Sequence, residues 1–353
     1  MVRNHQTYQE PLSRRIARLL FPVVVCSCLM LAFIERPAIA QTDGWMRQHI
    51  GSLAWLHAVF FLDETRGWAG GSRGTLLTTI DGGKTWKTKS QPTPDTLRDI
   101  YFVDDQNGWL LCEANLYDLK TKSEPRTYLM QTSDGGETWR RINIQAADVN
   151  GRLVRTVFSR GRGWAFGEEG AIFTTRDAGV TWTRLQSPTR HLLLGGTFID
   201  DDRGWLVGAG ATIIQTSDGG ETWHISRLAD ATRAAVRFSA ASFVDNRLGW
   251  AVGSGGSIYH TENGGRTWQQ QSSGITADLF DVKFLNATEG WAVGAEGTII
   301  HTTDGGRRWT AERSNTEHPL ERIFFADRAH GWAVGFGGTV VAYIRTERPR
   351  LSR

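Results

Sequence analysis

Residues 249–268 read GWAVGSGGSIYHTENGGRTW, and this stretch decides the fold. Trp250-Ala-Val-Gly253 is a short apolar strand, Ser254 to Gly256 is a tight glycine turn, and Ser257-Ile-Tyr-His-Thr261 is a second strand, so the two form a hairpin. The hairpin runs into Thr261-x-Asn-Gly-Gly-x-Thr-Trp268, a box of turn residues closed by an aromatic. In the Asp form of this box, a short side chain bonds backbone N–H groups further on while the glycines accept positive φ.

Working outward, Gly-Trp recurs at Gly67-Trp68, Gly108-Trp109, Gly163-Trp164, Gly204-Trp205, Gly249-Trp250, Gly290-Trp291 and Gly331-Trp332, with spacings of 41, 55, 41, 45, 41 and 41 residues. A period of this size marks a repeat architecture of seven units. Phe61, Phe102, Phe198, Phe243, Phe284 and Phe325 each stand seven residues before the tryptophan, and Phe158 stands one place closer. Six boxes begin at Thr79, Thr132, Thr175, Thr216, Thr261 and Thr302 and end at Trp86, Trp139, Trp182, Trp223, Trp268 and Trp309. Their turn residues are Asp81, Asp134, Asp177, Asp218, Asn263 and Asp304, with Ala178 in place of the first glycine of its box and Arg308 in place of the second threonine.

Each unit therefore offers four strands, and four-stranded sheets repeated radially are the blades of a propeller. The expected fold is all-β: a seven-bladed β-propeller of four-stranded antiparallel blades. The seventh unit stops after Thr339 to Ile344 without a box, whereas Asp43-Gly44-Trp45 near the other end is the tail of one. The N-terminal strand is thus expected to complete the last blade and to cover edges that an open array would expose. Fourteen of the 15 tryptophans fall in the two repeat positions once Trp45 is counted, leaving Trp55 outside, and this favours seven blades over six or eight.

Arg14, Arg15 and Arg18 precede an apolar run from Leu19 to Ile34, followed by Ala38-Ile-Ala40. Residues 1–40 read as an export signal, or as an anchor if uncleaved, with the propeller over 41–346 and a tail over 347–353. The protein is accordingly expected to be exported, into a periplasm, an organelle lumen or the extracellular space. Cys26 and Cys28 lie in the apolar run, so Cys112 is the one thiol left after processing and no internal disulfide can form.

A formal charge of +3, without long runs of like charge, argues against nucleic acid as a partner. One carboxylate per box supplies too few oxygens for calcium, and the scattered histidines show no ligand spacing, so neither metal nor cofactor is expected. In a propeller, the turns between second and third strands share a face with the links between blades. That face collects the insertion from Cys112 to Arg126, with Glu113, Asp118, Lys120 and Lys122. It also collects Arg152, Arg190, His191, Arg233 and Arg313, with Arg98, Arg155, Arg237 and Arg322 near inner-strand starts. Together with Lys283, the last four are expected to ring the channel mouth and meet a carboxylate-bearing partner.

Gly-Trp-Ala-Val-Gly followed by Thr-x-Asp-Gly-Gly-x-Thr-Trp, over residues 43–344, resembles the photosystem II stability/assembly factor family. The resemblance implies an exported, non-catalytic propeller of an oxygenic phototroph, binding reaction-centre assembly intermediates near the D1 subunit through an arginine-rich surface. It implies a membrane protein complex as partner, and the chain is expected to be a monomer. The box also occurs in sialidases and other glycoside hydrolases, which need paired carboxylates. Glu113, Glu168, Glu169 and Glu296 follow second strands on one face, but no tyrosine sits in a sialidase-like surrounding, so binding is favoured over catalysis.

Overall fold

In the computed structural model, the described residues are 44–345 apart from 120, 122, 123, 143, 145–150, 160 and 230–235. Residues 1–40 and 347–353, and the expectations placed on them, lie outside this set, as do Asp43, Lys120, Lys122 and Arg233. The unit Asp43–Arg353 holds the propeller. No helix among the described residues is long and apolar enough to cross a membrane.

Seven sheets are present. Their inner strands are Leu56–Phe61, Thr96–Phe102, Leu153–Ser159, Leu193–Phe198, Phe238–Phe243, Leu279–Phe284 and Leu320–Phe325, which number the blades 1 to 7. Successive inner strands pack side by side, and that of blade 7 packs against that of blade 1, so the ring closes around an axial channel. Each Gly-Trp opens the second strand, antiparallel to the first.

The chemistry of the repeat explains the packing. Every Gly-Trp indole stacks on the Phe of the following blade, at 3.5 Å and 5° for Trp250 on Phe284. The series ends with Trp332 of blade 7 on Phe61 of blade 1, at 3.5 Å and 8°. The same Phe meets the box tryptophan of its own blade edge-on, as Phe284 meets Trp309 at 88°. A Trp–Phe–Trp sandwich thus fills each seam between blades, its edge-on contact being the geometry that aromatic quadrupoles favour and its face-on contact gaining from dispersion and apolar burial. It also dictates the glycine before each tryptophan, because a Cβ at Gly249 would lie 2.4 Å from the Phe243 ring. Seven apolar clusters, one per seam, make up the core.

Blade 7 comprises Leu320–Phe325, His330–Gly335 and Thr339–Ile344, with Gly44–Gln48 as its outer strand. Gly44–Gln48 pairs antiparallel from Gly44 opposite Ile344 to Gln48 opposite Val340. Trp45 lies edge-on to Phe325 at 81°, taking the place a box tryptophan holds elsewhere. In four other seams the Gly-Trp indole donates to a box glycine carbonyl of the next blade: Trp164 to Gly219, Trp205 to Gly264, Trp250 to Gly305 and Trp332 to Gly82. At the blade 6 to 7 seam both Trp45 and Trp291 donate to one Glu312 carboxylate oxygen instead, at 2.8 and 3.2 Å. Blade 5 departs from four strands: Arg227–Leu228, from the link in the 45-residue unit, adds a fifth, parallel to Thr267–Gln271.

Candidate functional site

The boxes build turns. In blade 1, Asp81 accepts from the Thr85 backbone at 2.9 Å and hydroxyl at 2.6 Å, and Thr79 Oγ1 accepts from Gly83 N at 2.9 Å. The Thr85 hydroxyl, then its N–H, holds Asp81 at about 2, below the ordinary 3.8. The equivalent hydroxyls of Thr138 and Thr181 do the same for Asp134 and Asp177, each about 2. Asp218, Asn263 and Asp304 likewise accept from the backbone N–H of Thr222, Thr267 and Arg308. Among the described residues no group of three or more His, Cys, Asp or Glu side chains could hold a metal ion.

The opposite face is organised by bulges. Each inner strand carries a register shift one residue after its first buried apolar side chain, for example between Leu97 opposite Cys112 and Asp99 opposite Leu111. The unpaired residue is His57, Arg98, Val154, Leu194, Ser239, Phe280 or Glu321 in blades 1 to 7. A bulge re-aims a side chain out of the ladder. Here all seven line one cup of about 240 Å³, joined by Arg152, Arg237 and Arg322. Four guanidiniums thus face a cup whose one carboxylate is Glu321, itself accepting from Trp55 Nε1 at 3.1 Å. His57 is buried against Trp55, and burial, then the Arg98 and Arg322 charges, lower its pKa to about 3, so it stays neutral.

Arg98 donates to Glu113 at 2.5 Å, and Arg152 reaches the same carboxylate at 3.5 Å. Arg126 lies 3.1 Å and Arg152 lies 3.3 Å from Glu168. Three guanidiniums over two carboxylates leave this rim cationic. It also ties up both carboxylates in charge-assisted bonds, whereas Glu169 and Glu296 are exposed at turn tips with positive φ.

The five expected cations do not share one ring. Arg98 is a bulge residue of the cup, Arg237 is exposed just before its strand, and Arg322 lies one residue beyond its bulge. Arg155 occupies the same level as Arg322 but on blade 3 and outside the cup lining. Lys283 is the penultimate residue of Leu279–Phe284, two residues further along the channel wall than Asp281. It faces channel solvent, yet the surrounding walls dehydrate its ammonium and lower its pKa, with Asp281 opposing. Arg190 and Arg313 are exposed on links. Sequence reading missed the other bulge residues, although a signal exists: Leu56, Leu97, Leu153, Leu193, Phe238, Leu279 and Leu320 each stand five residues before the repeat Phe, and the bulge follows.

Leu53, Trp55 and Phe336 are exposed beside the cup, with Trp55 edge-on to Phe336 at 80°. Leu116 and Tyr117 are exposed in the blade 2 insertion.

The model of the photosynthesis system II assembly factor YCF48 family matches residues 86–191, 185–273 and 269–344, most of the chain. The chain belongs to the YCF48 family. The photosystem II stability/assembly factor HCF136 of Arabidopsis thaliana is 29% identical over 166 residues, 44% of this chain and 38% of that protein. The match therefore spans well under half of that YCF48-family relative's length. A solved YCF48 bound to D1 peptide superposes with a TM-score of 0.70 at 20% identity, covering 87% of this chain and 96% of that one. A GH74 xyloglucanase from Xanthomonas campestris superposes at 0.64 with 11% identity, covering 86% and 54%. At those identities the two structures share a fold with this YCF48-family chain.

Proposed function

We propose that this protein is an exported, non-catalytic assembly factor whose cup-bearing face captures a carboxylate-bearing segment of a photosystem II reaction-centre subunit. The observation that carries the reading is the cup: seven bulges aim one side chain per blade at a common space, and four arginines surround it. Arginine suits this task, since its planar fork matches a carboxylate and is charged at any physiological pH. The exposed Leu53, Trp55 and Phe336 supply apolar contact beside the charge. Family membership and the D1 peptide on a solved YCF48 support the choice of partner. That Glu113 and Glu168 are held by three arginines, and not presented as an acid and base pair, supports a binding role.

The test is capture of a D1 peptide that carries a carboxylate. Changing Arg98 and Arg237 together to Glu should weaken capture at least about tenfold, the order expected for losing charge-assisted bonds. Raising salt should weaken wild-type capture in the same direction. Undiminished capture by the double variant, with a wild-type circular dichroism spectrum, would overturn the proposal.

A further inference from the structure

One level below the bulges, the residues opposite the fourth position counted from each Gly-Trp glycine are Ala58, Asp99, Arg155, Gly195, Ala240, Asp281 and Arg322. The four charged side chains act on one another at this level. Both carboxylates accept from backbone N–H groups. Asp99 accepts from Ile100 N at 3.1 Å and, across the seam, from Thr156 N at 2.9 Å and its hydroxyl at 3.3 Å. Asp281 accepts from Val282 N at 3.0 Å and, across the seam, from Ile323 N at 3.1 Å.

The guanidiniums are served differently. Arg155 approaches Asp281 only to 3.6 Å, and its Nε and Nη2 are buried without a hydrogen-bond acceptor. Arg322 donates from Nη1 to the Glu321 carbonyl at 2.8 Å, while its Nε is likewise buried and unpaired. Burial, and next the charge of Arg155, hold Arg322 at about 10, below the ordinary 12.5, so Arg322 is still cationic at neutral pH and is repelled by Arg155. Buried charged donors without acceptors are costly, and an anion answers both their charge and their N–H groups. Lys283 adds a third cation one level further along, and the carboxylates that act on Arg322 are Asp281, Asp99 and Glu321.

We propose that a small monovalent inorganic anion of the halide class binds in the channel between Arg155 and Arg322, at the floor of the cup. It accepts from the three unpaired guanidinium N–H groups and screens the repulsion between the two arginines. Its role is structural: it holds the inner strands of blades 3 and 7 at a level where their arginines would otherwise push apart. Arg322 borders both the cup and this site, but Arg155 lies outside the cup lining, so the Arg155 variant lets the site fail while partner capture succeeds, and Arg98 and Arg237 variants allow the reverse.

Crystals of the protein soaked in sodium bromide test it directly. An anomalous peak within hydrogen-bonding distance of both guanidiniums is expected, and bromide peaks confined to the outer surface would overturn the site. In solution, bromide added to halide-free buffer at constant ionic strength should raise the melting temperature of the wild type and of Arg237→Gln. The rise should vanish in Arg155→Gln. An equal rise in all three would show that the ion acts elsewhere. Should Arg155→Gln fail to fold, Arg322→Lys, which keeps the charge but loses Nε, should shift half-saturation to at least about tenfold higher bromide.

Discussion

Gly297 ends the turn between the second and third strands of blade 6, at φ +66°, and a Cβ there would lie 2.0 Å from the Thr316 carbonyl oxygen of the link to blade 7. Both strain and collision oppose a side chain. Gly255, in the turn of blade 5, has a similar φ of +62° but open space around it. Gly297→Ala should therefore cost more than Gly255→Ala, about 3 kcal/mol or above against about 1 kcal/mol, as read from urea midpoints. At the box aspartates the expected signature is acid sensitivity. Asp81, Asp134 and Asp177 sit at about 2 in the folded chain against 3.8 ordinarily, so their stabilisation is full above the higher value and fades as pH falls toward the lower. Replacing all three by Asn should lower the urea midpoint at neutral pH and flatten its fall between about pH 4 and 2. Asn263 shows that an amide can fill the position, accepting from Thr267 N at 3.0 Å.

Among the elements, Gly44–Gln48 contributes far more than five residues suggest. Trp45 is 2% exposed, contacts Phe325 and Tyr343, and shares Glu312 with Trp291. Trp45→Ala should cost about 3–5 kcal/mol in chemical denaturation, the range for emptying a buried aromatic site. Glu312→Ala strands two indole N–H groups and should cost about 1–3 kcal/mol for each, with Glu312→Gln milder because it keeps an acceptor. Strands of this kind were legible because Gly-Trp, Phe and the box tryptophan are the parts of one sandwich, and each part is chemically distinctive. The bulges were not. Their side chains include His57, Arg98, Leu194 and Glu321, which share no chemistry, and their position shows only as an offset from Leu97 and its equivalents. The same gap put Lys283 at the mouth in the sequence reading, when strand register sets it deeper. The fifth strand of blade 5 was hidden for another reason: Arg227–Leu228 is two residues of a link, too short for any alternation to register.

For the whole molecule, seven near-equivalent seams mean that no blade owns its core. Stability then depends on closure, since an open array leaves two seams half-built. Scanning calorimetry should show a single transition whose van't Hoff and calorimetric enthalpies agree. Deleting residues 44–50 should lower the midpoint by more than about 10 °C and broaden the transition, as blades at the new edges melt first. A truncated chain melting as sharply as the intact one would mean that the remaining strands close the ring unaided.

The pairing of Gly44–Gln48 with Thr339–Ile344 also sets an order of events in time. Blades 1 to 6 can each assemble from contiguous chain as it is synthesised, but the last must bring together segments nearly 300 residues apart, from Gly44 to Ile344. Contacts of such long sequence separation are slow to form, because the intervening chain must be ordered before they are rewarded. Closure is then the final step of folding, and until it occurs the nascent protein is a curved stack with a sticky edge at each end. The short strand near the N-terminus is therefore a latch, fastened once and late, whose release governs how long the finished ring survives.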